Sequence, residues 1–201
     1  MFRFLCVFVC GLVSATPQAG TILVFGDSLS AGYGLRDHEG WVALLAQRLT
    51  QQQRDFQVVN ASISGDTTRG GLARIPQALS AHQPDIVIVE LGANDGLRGL
   101  PLTDMQKNLE QIITQCLKQK AQVVLVGMRL PPNYGPTYTN EFARVYTRIA
   151  QRFKLALVPF LLQGLEQNKG AFQADQLHPA AAAQAQLLEN VWRVLEKLIK
   201  K

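Results

Sequence analysis

The sequence predicts a single three-layer α/β/α domain around a parallel sheet of five strands. Short runs of Val, Ile and Leu alternate along the chain with longer stretches whose apolar residues recur at helical spacing. The segments joining the short runs are too long for hairpins and long enough for right-handed crossover helices. A length of 201 residues, with 47% apolar and 17% charged residues, suits one hydrophobic core and excludes a disordered or fibrous chain.

The strands are expected at Thr21–Phe25, Gln57–Ala61, Ile86–Leu91, Val123–Met128 and Leu155–Phe160, whose nearly continuous apolar composition is what a parallel strand covered on both faces requires. Helical patterns fill the intervals at 41–52, 70–81, 102–120 and 139–153. A last helix is expected from Pro179 to the end, with Leu187, Leu188, Val191, Leu195, Leu198 and Ile199 on one stripe. Its terminal lysines complement the helix dipole, which favours a packed helix over one lying on a membrane. No repeat or Ser/Gly linker divides the chain.

The N-terminus has a different character. Arg3, an apolar run over residues 4–13 and small residues over 14–19 form the three-part layout of a secretory signal peptide. The run is about half of the ~20 residues a membrane span needs, so no permanent anchor is expected. Residues 1–19 therefore read as a leader, cleaved after Ala15 or Ala19, and residues 20–201 as the domain. Its removal takes away Arg3, Cys6 and Cys10, lowers the formal charge from +5 to +4 and leaves Cys116 as the one thiol. An exported, periplasmic or secreted monomer without an internal disulfide is the expectation. The Lys and Arg residues are scattered, with Lys200-Lys201 the one clustered pair, which argues against nucleic acid as a partner. With three Cys, three His and no C-x-x-C or H-E-x-x-H, no metal site is expected.

In a sheet of this kind ligands bind beyond the C-terminal ends of the strands. After the first strand stands Gly26-Asp27-Ser28-Leu29-Ser30, which offers a serine at that edge but is also ordinary turn and cap composition. After the second, Gly65 could turn its N–H toward a pocket, or serve the turn before the next helix. After the third, Asn94 offers a neutral amide donor within the turn-forming Asn94-Asp95-Gly96. Before the last helix, Asp175 could accept Nδ1–H of His178 three residues on, or simply cap the helix. His38 and His82 lack such a partner and read as solvated. Together the four positions supply a nucleophile, two oxyanion donors and an oriented base.

Gly26-Asp27-Ser28-Leu29, Gly65, Gly92-Ala93-Asn94-Asp95 and Asp175-x-x-His178 resemble, in order and spacing, the four blocks of the SGNH or GDSL hydrolases, and the likeness extends over nearly all of residues 20–201. The resemblance implies a flavodoxin-like fold and hydrolysis of fatty-acyl thioesters and esters, as by an acyl-CoA thioesterase, arylesterase or lysophospholipase, without metal or cofactor. Ser28, His178 and Asp175 would be catalytic, and the N–H groups of Ser28 and Gly65 with the Asn94 amide would hold the oxyanion. Gln176 departs from the small Gly usual in close relatives. Leu97, Leu100 and Tyr134, on loops expected to rim the site, are candidates for an acyl groove. Transient contact with lipid surfaces fits such substrates. A short-chain or carbohydrate acetylesterase is the alternative enzyme, and a non-catalytic exported binding module the remote one.

Overall fold

A computed structural model describes residues 19–199. The expected leader, apart from Ala19, and the Lys200-Lys201 pair lie outside the described residues. The strands are β1 (Gly20–Gly26), β2 (Phe56–Asn60), β3 (Ile86–Glu90), β4 (Gln122–Val126) and β5 (Ala156–Val158). All pair in parallel, in the order β2-β1-β3-β4-β5. The chain thus leaves β1 in one direction to form β2 and returns past it to form β3. That reversal puts a crevice at the C-terminal ends of β1 and β3.

Seven α-helices occur among the described residues: α1 (Ser28–Ala31), α2 (Trp41–Gln51), α3 (Thr68–His82), α4 (Ala93–Leu97), α5 (Leu102–Lys118), α6 (Pro136–Phe153) and α7 (Gln184–Ile199). Helices α2 and α7 pack together on one face of the sheet, and α3, α5 and α6 form the layer on the other. The central strands carry the core: Ile22 to Phe25 and Ile86 to Val89 are buried throughout. Burying each such side chain contributes about 1.5–3 kcal/mol. At the sheet edge, β2 keeps Val58 and Val59 only half-buried. Cys116 of α5 lies inside the core, where burial pushes its thiol up to about 12, so it behaves as a packing residue.

Three features differ from the expectation, one being that β5 spans only Ala156–Val158 of the run expected over Leu155–Phe160. Short helices α1 and α4 follow β1 and β3 directly, at the crevice. The last long helix begins at Gln184 rather than Pro179, preceded by a 3₁₀ turn over Ala181–Ala183. The cause is a bridge between Phe172 and Pro179: Gln173 N–H donates to His178 O and Ala180 N–H to Ala171 O. Residues 178–180 are therefore held extended, which fixes the backbone on which His178 stands.

Candidate active site

The nucleophile position is built by a cap. Asp27 ends the approach from β1 and accepts the N–H of Leu29 on Oδ1 at 3.0 Å, which starts α1 at Ser28. As the first residue of that turn, Ser28 has no intrahelical acceptor for its own N–H. Gly32 closes the turn at φ 78°, donating to Ser28 O.

The second loop is fastened to the first. Gly26 N–H donates to Ser62 Oγ (3.1 Å), Ile63 N–H to Gly26 O (3.0 Å) and Asn60 Nδ2 to Ser30 O (2.8 Å). Arg74 of α3 ties both loops from behind, donating to Asp66 Oδ2 (2.7 Å), Ala61 O (2.5 Å) and Gly26 O (3.2 Å) while its guanidinium covers the Phe25 ring. Between these anchors Gly65 stands at φ +79°, the left-handed region open to glycine. Asn94, in α4, donates from Nδ2 to Asp66 O at 2.9 Å and to Asp27 Oδ2 at 3.1 Å, joining the third loop to the other two.

The fourth segment brings the candidate base. Asp175 folds back on its own turn, accepting the N–H groups of Leu177 (2.9 Å) and His178 (3.0 Å) on Oδ1. Its Oδ2 lies 2.7 Å from His178 Nδ1, and His178 Nε2 lies 2.9 Å from Ser28 Oγ. Hydrogen bonds from the His178 N–H, the His178 ring and the Leu177 N–H hold the Asp175 carboxyl down at about 2. An ionised Asp175 in turn fixes the proton on Nδ1 and leaves Nε2 free to accept one from Ser28. The Tyr33 ring packs over the imidazole at a centroid distance of 4.5 Å, and Gln173 Nε2 ties the backbone of Tyr33 (2.8 Å) to that of Pro179 (3.2 Å).

Ser28, Gly65, Asn94 and His178 meet at the polar end of a cavity of about 670 Å³. Its wall is mainly apolar, with Leu97, Met128, Leu130, Phe160 and Phe172 prominent and Arg129, Glu166 and Lys169 among the other lining residues. Of the three rim residues anticipated, Leu97 lines the cavity, whereas Leu100 and Tyr134 do not. Leu100 points to solvent, and Tyr134 donates its hydroxyl to Leu97 O at 2.9 Å, acting on the wall from outside. Asp27, Arg74, Glu90 and Gln173 support the site without having stood out in the sequence. For Glu90 a signal existed, since it is the one acid in an otherwise apolar, fully buried strand.

A serine hydroxyl, an imidazole and a carboxylate in hydrogen-bonded series at the head of an apolar cavity define a hydrolase that works on acyl esters through its serine. Residues 24–186 match the GDSL-like Lipase/Acylhydrolase family, and the chain belongs to that family of serine ester hydrolases. It is 52% identical to Esterase TesA of Pseudomonas aeruginosa, over 94% of each chain. It is 39% identical to the Thioesterase 1/protease 1/lysophospholipase L1 of Escherichia coli, over 96% of this chain and 91% of the relative. The crystal structure of the psychrotrophic esterase EstA from Pseudoalteromonas sp., inhibited by monoethylphosphonate, superposes with a TM-score of 0.86 at 38% identity, covering 90% of this chain and all of that one. Among the described residues no helix is long and apolar enough to cross a membrane.

Proposed function

We propose that the protein hydrolyses fatty-acyl esters and thioesters through an acyl-enzyme on Ser28. The observation that carries this reading is the Ser28–His178–Asp175 series opening directly onto the apolar cavity. Ser28 Oγ attacks the acyl carbonyl while its proton passes to His178 Nε2, and Asp175 stabilises the imidazolium that results. The negative charge on the carbonyl oxygen is met by the N–H groups of Ser28 and Gly65 and by the Asn94 amide. His178 returns the proton to the departing alcohol or thiol. Water then attacks the acyl-serine with the same base, releasing the fatty acid and restoring Ser28. Export belongs to this reading: with residues 1–19 removed, the enzyme meets its substrates outside the cytoplasm.

The test is labelling with a serine-directed fluorophosphonate, followed by hydrolysis of acyl-CoA, lysophospholipid and acetyl-sugar substrates side by side. Label on Ser28 with turnover of the long-chain substrates supports the reading. Folded protein left unlabelled would overturn it, and turnover of the acetyl-sugar alone would turn it toward an acetylesterase.

A further inference from the structure

We propose that the buried carboxyls of Asp27 and Glu90 are a positioning pair for the oxyanion side of the site: Asp27 aims the Asn94 amide, and Glu90 anchors the short turn that begins at Ser28. The inference rests on the roles just given to Ser28 and Asn94.

Both acids are almost completely buried, Asp27 at 1% and Glu90 at 0% exposure. The β1–β3 register sets Gly26 beside Glu90. A Cβ at position 26 would stand 2.8 Å from Glu90 Oε2, so the absence of a side chain there lets the acid reach beneath the turn. In that position Oε2 accepts from Ser30 Oγ at 2.6 Å and lies 3.4 Å from the Asp27 N–H, while Oε1 has no hydrogen-bond partner. A buried acid with one idle oxygen costs stability, and its position next to the nucleophile's turn suggests what the cost serves.

Asp27 divides its oxygens between two tasks. Oδ1 caps Leu29 N–H at 3.0 Å, and Oδ2 accepts from Asn94 Nδ2 at 3.1 Å. Since Asp66 O takes the other amide proton at 2.9 Å, both partners of Asn94 are acceptors. They orient the carboxamide with its nitrogen, not its oxygen, toward them. The longer bond, to Asp27, is the one a forming oxyanion can share. Burial raises the Asp27 carboxyl to about 6. Burial first, and then the neighbouring Asp27 charge, raises Glu90 well above its usual range. The geometry makes Glu90 an anchor beneath the turn, held through Ser30 Oγ.

The experiment measures kcat and KM per reactive serine, counted by fluorophosphonate titration of folded variants. Asp27→Asn has one acceptor oxygen for two donors, so kcat should fall about 10- to 100-fold with KM within about threefold of the parent. Glu90→Gln keeps an acceptor oxygen for Ser30 and should stay within about threefold in kcat, whereas Glu90→Ala should lose about tenfold or more. Should Glu90→Ala fail to fold, Ser30→Ala removes the same bond from the other side and should lower kcat with KM unchanged. Parental kcat in Asp27→Asn, in a background where Asn94→Ala is impaired, would overturn the role of Asp27. A Glu90→Gln variant as impaired as Glu90→Ala, or parental kcat in Ser30→Ala, would overturn that of Glu90. Parental kcat in Asn94→Ala would instead overturn the oxyanion assignment on which the pair rests.

Discussion

Asp175 grips His178 twice, taking its ring Nδ1 on one carboxylate oxygen at 2.7 Å and its backbone N–H on the other at 3.0 Å. The imidazole is fixed both in direction and in tautomer by a residue only three positions away. Asp175→Asn can keep the backbone bond but presents an amide to Nδ1, which favours the wrong tautomer. kcat should fall by about 10³- to 10⁴-fold, far beyond what the accompanying modest drop in melting temperature accounts for, as followed by ester hydrolysis and thermal unfolding of the same preparation.

Ser28 and the two groups that act on its reaction should differ in depth of effect. Ser28→Ala or His178→Ala removes the covalent route and should cost more than ~10⁴-fold in kcat/KM. Asn94→Ala removes one of the three proposed oxyanion donors and should cost ~10²- to 10³-fold. A purified Ser28→Ala protein retaining a tenth of the parental activity would contradict the assignment.

The stability of the protein should carry the mark of Asp27 at mildly acidic pH. Its carboxyl moves up from 3.8 to about 6, so the folded state holds a proton that the unfolded state has released, and stability falls as pH rises through that window. Asp175 has the opposite sign: with its carboxyl lowered from 3.8 to about 2, its contribution is present above 3.8 and lost as pH falls toward 2. Glu90, raised like Asp27, adds a further loss with rising pH. Melting curves of Asp27→Asn should therefore decline less between about pH 4 and about pH 6 than those of the parent. Equal slopes would show that Asp27 does not titrate there.

Chain length should matter to the rate. A wall of Leu97, Met128, Leu130, Phe160 and Phe172 gains contact with each added methylene, worth up to ~0.8 kcal/mol apiece while the chain remains inside. Activity on p-nitrophenyl esters should climb from acetyl toward the longer acyl groups. A flat profile from about two to about sixteen carbons would rule out the cavity as an acyl groove.

Gln176 stands at φ 56°, in the left-handed region, between Asp175 and Leu177. The left-handed conformation costs a side-chain-bearing residue ~1–2 kcal/mol, and glycine returns part of that gain through its freedom in the unfolded chain. Gln176→Gly should raise stability by about 0.5–1 kcal/mol without changing kcat, measured by denaturant unfolding.

What the sequence made legible follows from how each feature is encoded. The strands show because a run such as Ile86 to Val89 must be apolar on both faces. Ser28, Asn94 and His178 show because each stands just beyond a strand or ahead of the last helix, where binding groups collect. Helices α1 and α4, at four and five residues, are too short to establish a period. The late start of α7 depends on a bridge to Phe172 that no local pattern announces. Glu90 meets the nucleophile's turn through strand register, 60 residues away from Ser30 in the chain, and Leu100 and Tyr134 share loops with lining residues yet face elsewhere.

The segment after β4 has a place of its own. It contributes Met128, Arg129, Leu130, Pro131 and Pro132 to the cavity wall, but none of the residues of the candidate triad or oxyanion hole. Apart from the bond from Tyr134 to Leu97 O, the cross-links that hold Ser28, Gly65, Asn94 and His178 in place run among the other four loops and Arg74. On the proposed reading, part of the wall that meets the acyl group is thus carried by a stretch of chain that holds none of the reacting groups. Grafting a different β4 loop could retune which chain fits, with the reacting groups left where they are.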